Sequence, residues 1–128
     1  MGKNLLFINH TGAVSSIPGL LAANGYGVDE VSDPEMGLRR LDEADYGVII
    51  ALEDAASTSW QLCEKIRCFT GAPLIVISTD ASTEACLKTI SAGADYFLRK
   101  RYGPLELLAR VSSLLQRTIP RQTMPVGS

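Results

Sequence analysis

The chain has 128 residues with a formal net charge of -2; 46% of them are apolar and 20% charged. That length fits one domain and leaves too little for a second, and the composition belongs to a globular core, not to a disordered chain. A slightly acidic chain has the wrong sign for a domain that holds nucleic acid on its own surface.

Met1-Gly2-Lys3-Asn4 leads into an apolar run too short for a signal segment or a membrane span, which predicts an untargeted cytoplasmic protein with no membrane partner. That run, Leu5-Leu6-Phe7-Ile8, reads as a strand buried on both faces. A helix follows, with Thr11 a candidate N-cap, Ile17, Leu20 and Leu21 on one face, and Asn24-Gly25 as its stop. Tyr26 to Val31 gives a more polar strand, suited to a sheet edge. Ser32-Asp33-Pro34-Glu35 predicts the next helix start: Ser or Asp caps, Pro suits the first turn, Glu complements the dipole, and Met36, Leu38 and Leu41 follow. Gly47 to Leu52 is a third strand, and a loop through Ser57 leads to a helix carrying Trp60, Cys63, Ile66 and Arg67. Gly71-Ala72-Pro73 turns into the strand Leu74-Ile75-Val76-Ile77, followed by a helix from Ser82 to Ala92 and a short strand Tyr96-Phe97-Leu98. The last helix runs from Pro104 to Arg117, with Leu105, Leu108, Val111, Leu114 and Leu115 on its apolar stripe.

Five β/α units in this order predict an α/β domain over residues 1–117, a parallel sheet with helices on both faces, because parallel strands need crossovers and those are right-handed. Residues 118–128 contain Pro120 and Pro125 and no periodicity, and read as a linker or tail. Cys63, Cys68 and Cys86 lack CxxC spacing and are expected to be buried, reduced thiols.

Gly93-Ala94-Asp95-Tyr96-Phe97-Leu98-Arg99-Lys100 resembles the GAD-x-[YF]-x-x-K stretch of the receiver domains of two-component response regulators. Leu105-Glu106-Leu107-Leu108-Ala109-Arg110-Val111 is similar to their last helix, especially in regulators with winged-helix DNA-binding partners. Pro73-Leu74-Ile75-Val76-Ile77-Ser78 is similar to their fourth strand, and Leu62-Cys63-Glu64-Lys65-Ile66-Arg67 to their third helix. The resemblance implies a flavodoxin-like (βα)5 fold with strand order 2-1-3-4-5.

It also implies a site. A working receiver carries a phosphoacceptor Asp at the end of the third strand and an acidic pair after the first, which together hold magnesium during in-line transfer. Carried over by spacing, the acceptor position falls on Ala51 and the acidic pair on Asn9 and His10. A methyl group neither attacks phosphorus nor binds metal, and imidazole is a poor magnesium ligand. Ser78 keeps the hydroxyl position, Lys100 the lysine position and Phe97 the switch aromatic position, while Arg101 replaces a usual proline, for which a trans Lys100–Arg101 bond is expected. The resemblance therefore implies a degenerate, phosphorylation-independent receiver, without catalytic residues, metal or cofactor. Glu53 and Asp54 follow Ala51 closely; alternation puts Glu53 on the side of Ala51, one step further along the loop. There a solvated loop or a salt bridge to Lys100 is favoured over a displaced acceptor.

Other readings concern partners. Ser78, Lys100 and Arg101 form a candidate anion site, and a small-molecule ligand is a further expectation. His10 reads as a hydrogen-bonded histidine at a strand end more than as a pH sensor. Trp60 either covers the sheet or anchors a partner, and Leu105, Leu108 and Leu115 are expected in the core. In the related regulators the fourth helix, fifth strand and fifth helix form a two-fold dimer; Asp95, Glu106, Arg110 and Arg117 match its charged positions, whereas Tyr96 and Cys86 depart from them. The expected role is a signalling and dimerisation module for a DNA-binding effector domain beyond residue 128. The alternatives are a stand-alone interaction or ligand-sensing domain and, less favoured, a flavodoxin-like nucleotide-binding enzyme using the loop Asn9 to Ser16.

Overall fold

Short apolar runs that cannot satisfy their backbone groups alone pair into a sheet, and amphipathic helices between them cover its faces. The computed structural model describes residues 4–54, 59–79, 82–99 and 103–117. The tail expected at 118–128 lies outside them. The elements are β1 (Asn4–His10), α1 (Ile17–Ala23), β2 (Gly27–Val31), α2 (Pro34–Glu43), β3 (Val48–Glu53), α3 (Ser59–Phe69), β4 (Leu74–Ser78), α4 (Thr83–Ser91), β5 (Tyr96–Arg99) and α5 (Pro104–Arg117). All strand pairs are parallel and the order is β2-β1-β3-β4-β5, the flavodoxin-like arrangement expected.

Strand alternation sorts the core into two layers. On one face Leu5, Phe7, Ile50, Leu52, Ile75 and Ile77 meet Ile17 and Leu21 of α1 and Leu107, Val111 and Leu114 of α5. On the other, Leu6, Ile8, Ile49, Ala51, Leu74 and Val76 meet Leu41 of α2 and Leu62, Cys63 and Ile66 of α3. Each fully buried large side chain contributes ~1.5–3 kcal/mol, several times an exposed ion pair, so these layers and not the surface charges hold the fold.

Local signals act largely as read. Asp33 caps α2, its side chain accepting a hydrogen bond from the Glu35 amide at 3.1 Å, with Pro34 in the first turn. Ser82 caps α4 through the Ala85 amide at 3.1 Å, and Gly25, at φ +91°, ends α1.

Four expectations are corrected. Thr11 is not an N-cap: α1 starts at Ile17, and Thr11 belongs to the loop that follows β1. Met36 points outward, because α2 buries Gly37 and Leu41; Gly37 sits where a Cβ would meet Ile8 Cδ1 at 2.6 Å, so its lack of a side chain lets the helix approach the sheet. Leu105 is exposed while Leu107 takes the core position, since the buried stripe is set by Leu107, Val111 and Leu114; Leu108 and Leu115 are half-buried against it. Of the thiols only Cys63 is buried, and burial pushes it up to about 12; Cys68 is exposed, and all three are free.

The amino-terminal end of the sheet is tied by Arg67. Its guanidinium donates to the carbonyl of Gly93 at 3.0 and 2.7 Å, to the carbonyls of Thr70 and Ala72, and to Asp95 Oδ2 at 3.1 Å. Asp95 Oδ2 also accepts from the Leu74 amide at 2.8 Å, and the Asp95 amide donates to Leu74 O. One side chain thus joins α3, the start of β4 and the turn before β5, and Gly93, at φ +123°, leaves room for it. Arg67→Ala is expected to cost about 2–4 kcal/mol in urea denaturation, because it leaves several carbonyls and a carboxylate unpaired. Arg67→Lys should recover only a small part, since a point charge cannot span that fork.

Candidate functional site

Register decides what meets at the carboxyl ends of the strands. Ile8, Ala51, Val76 and Phe97 form one row across β1, β3, β4 and β5, and two residues further on His10, Glu53, Ser78 and Arg99 form the next. Residues two apart on a strand share a face, so both rows look towards α2 and α3. Asn9, one step out of phase, looks the other way.

Ala51 is buried among the core side chains of its layer, with Phe97 half-buried against the same cluster. Asn9 is nearly buried and its amide makes three hydrogen bonds: Nδ2 donates to Ala13 O at 2.8 Å, and Oδ1 accepts from the Thr11 amide at 3.1 Å and Thr11 Oγ1 at 2.7 Å. Gly12, at φ +76°, makes the turn that brings Ala13 back over Asn9. That side chain clamps the loop between β1 and α1.

Glu53 departs most from expectation. It is the last residue of β3, not part of a solvated loop, and only 2% of it is exposed. His10 Nδ1 lies 3.4 Å from Glu53 Oε1, while among the described residues Glu53 Oε2 has no hydrogen-bond partner. Burial pushes the Glu53 carboxyl up, the neighbouring His10 pulls it down, and Asp54 adds to the rise. His10, half-exposed at its strand end, is thus the structural partner expected of it. Both line a cleft of about 120 Å³ with Pro34, Glu35 and Leu38 of α2 and Gln61, Leu62 and Lys65 of α3.

Ser78 is fully buried at the end of β4. Lys100 and Arg101, the remainder of the expected anion site, lie outside the described residues, as does the bond between them. Among the described residues no group of three or more His, Cys, Asp or Glu side chains is placed to hold a metal ion, and no helix is long and apolar enough to cross a membrane. The donors at the acidic-pair positions do not suit magnesium either: the Asn9 oxygen already accepts two hydrogen bonds and imidazole is a soft ligand for so hard an ion.

Three of the charges expected on a dimer face, Asp95, Glu106 and Arg110, have contacts within the chain. Asp95 serves Arg67, and Glu106 lies 3.9 Å from Arg110 one turn on, with the Arg110 guanidinium 4.6 Å above the Tyr96 ring. Arg117 ends α5. Leu87 and Ile90 on α4 are exposed, and Trp60 stacks under Lys88 at 4.8 Å between α3 and α4 instead of covering the sheet.

No protein-family model matches the chain. It is 31% identical over 98 residues to the transcriptional regulatory protein HprR of Escherichia coli K12, a match covering 76% of this chain and 44% of that protein. The chain therefore spans less than half the length of that relative. Among solved structures, a two-component response regulator from Clostridium difficile superposes with a TM-score of 0.82 at 25% identity, covering 92% of this chain and 99% of that one. A CheY-like response regulator receiver domain from Methanospirillum hungatei gives 0.77 at 25% identity, covering 90% and 94%.

The buried carboxyl gives a stability prediction with a definite sign. Its native pKa is raised, so its contribution is fully retained below the unfolded value of 4.5 and is lost as pH rises through the native value. Glu53→Gln should remove that loss, so urea midpoints from pH 4 to pH 8 should fall less with rising pH than in the parent. At neutral pH the variant should be the more stable of the two.

Proposed function

We propose that this chain, which is a CheY-like receiver domain of the response-regulator family, signals without taking up a phosphoryl group. What supports the reading is that spacing matches the acceptor position to Ala51, a buried methyl two residues before the last residue of β3. In-line transfer needs a nucleophile, a metal to spread the phosphoryl charge and room for the incoming group. Here the nucleophile is a methyl, the flanking amide is engaged in a loop, and no step runs through magnesium because the donors do not suit it.

Glu53 is no substitute acceptor. Its carboxyl is almost wholly buried and one of its oxygens faces His10, which leaves no open approach for an incoming phosphoryl group. The role that fits is a cytoplasmic signalling module acting through its surface, with a DNA-binding effector domain, winged-helix in type, as its output. The greater length of the curated relative supports that view.

We further propose a homodimer through α4, β5 and α5. Because Asp95, Glu106 and Arg110 are engaged within the chain, apolar contact from Ile90 and Leu87 would carry it, with charge pairs adding ~0–1 kcal/mol each.

Intact mass after incubation with magnesium and acetyl phosphate, beside a competent receiver, should show no adduct on this chain. Ala51→Asp alone should stay unlabelled, because the acidic pair is still missing; a stoichiometric adduct on the parent would overturn the proposal. In sedimentation equilibrium the parent should associate, and Ile90→Glu should weaken association by about tenfold or more; a parent that stays monomeric would remove the dimer.

A further inference from the structure

We infer that the cleft beside Glu53 is a binding site for a small organic cation carrying N–H donors, an alkylammonium or guanidinium head. The inference rests on the reading that neither phosphoryl group nor magnesium occupies this end of the sheet.

A buried polar atom without a partner costs about 1–3 kcal/mol, so its persistence asks for an explanation. Among the described residues Glu53 Oε2 is such an atom, on a side chain that lines the cleft. Protonation does not complete it, because a buried hydroxyl without an acceptor is equally orphaned. What completes the site is a donor from outside the described chain. The terminal carboxyl torsion is broad, so either oxygen can be turned towards the cleft. Room exists: a water needs ~10–15 Å³ of such space, and the cleft offers about 120 Å³, enough for a planar head of a few heavy atoms.

The sign of the ligand follows from where the charges lie. Lys65 and Glu35 are exposed at the rim, where solvent and salt screen them and they oppose each other. Glu53 is the buried charge-bearing group, and an anion in the cleft would stand directly against it. The positive end of α2 is already answered by Asp33 and Glu35. A guanidinium adds geometric fit, since its fork matches both oxygens of a carboxylate. Leu38 and Leu62 supply apolar walls that keep water from competing.

The test is a titration followed by amide chemical shifts of His10, Leu38, Glu53 and Leu62 at neutral pH. Methylguanidinium chloride is the probe, with tetramethylammonium chloride at equal ionic strength as a cation without donors. Saturable shifts are expected with methylguanidinium only, with a dissociation constant of about millimolar order for so small a ligand. Glu53→Gln should weaken binding by about tenfold or more, while Asp54→Asn, an exposed neighbour, should change it by less than about twofold. No saturation, an equal response to tetramethylammonium, or undiminished binding by a folded Glu53→Gln would overturn the inference. N-acetyl-arginine amide then separates two sources of the same chemistry: binding as tight as methylguanidinium assigns the cation to a partner's arginine, and its loss assigns it to a free small molecule. Absence of titration together with absence of a phosphoryl adduct would remove this inference alone; an adduct would remove the reading beneath it.

Discussion

A parallel sheet covered on both faces leaves its side chains few places to meet solvent, and the chief one is the rim where strands hand over to helices. Everything functional in this chain follows from that constraint. Because paired residues of adjacent parallel strands share a face, the register alone brings His10, Glu53 and Ser78 into one row, with the row of Ala51 below it. Asn9, out of phase by one, is turned to the opposite face and given a structural task in the loop before α1.

The electrostatics of the rim follow from burial. A carboxylate in contact with water is stabilised by hydration; one walled by α2, α3 and its own sheet is not, and it answers by holding its proton more tightly. Glu53 is in that position, and His10 offsets the effect only in part, because a contact at 3.4 Å from a half-exposed ring is a weak partner. The opposite end of the sheet shows how the chain treats a partly exposed ion pair that serves the fold: Arg67 and Asp95 are met by donors and acceptors from the surrounding backbone as well as by each other. The contrast between the two ends is chemical, one satisfied and one incomplete.

Much of this was legible in the sequence. Apolar runs separated by amphipathic stretches predicted all five strands and helices, and Asp33-Pro34 and Ser82 started their helices as capping chemistry requires. What was not legible came from tertiary context. The apolar pattern of β3 stops at Leu52, so Glu53 read as loop; only the pairing of His10 with Glu53 and of Glu53 with Ser78 extends the strand through a charged residue. The phase of α5 was misjudged because five leucines in one helix admit two stripes, and contact with the sheet selects Leu107 over Leu105. The role of Arg67 gave no local signal, since its partners Gly93 and Asp95 lie 26 and 28 residues away. A signal did exist for Glu53: period-two alternation already set it on the side of Ala51.

On the proposed reading, in which no phosphoryl group serves as trigger, a switch in this domain has different requirements. A ligand shifts two conformations only by the difference in its affinity for them, so an input must touch something that differs between states. The surface charges of α5 are poor candidates, since Glu106 and Arg110 form a half-exposed pair at 3.9 Å, and such a pair contributes little. The rim is a better one. Glu53 is joined through β3 to both core layers, and Phe97, in the neighbouring row, packs only half-buried beside Ala51. A donor that completes Glu53 would favour whichever arrangement of α2 and α3 closes on it, and the same sheet would carry that preference towards β5 and the helices flanking it.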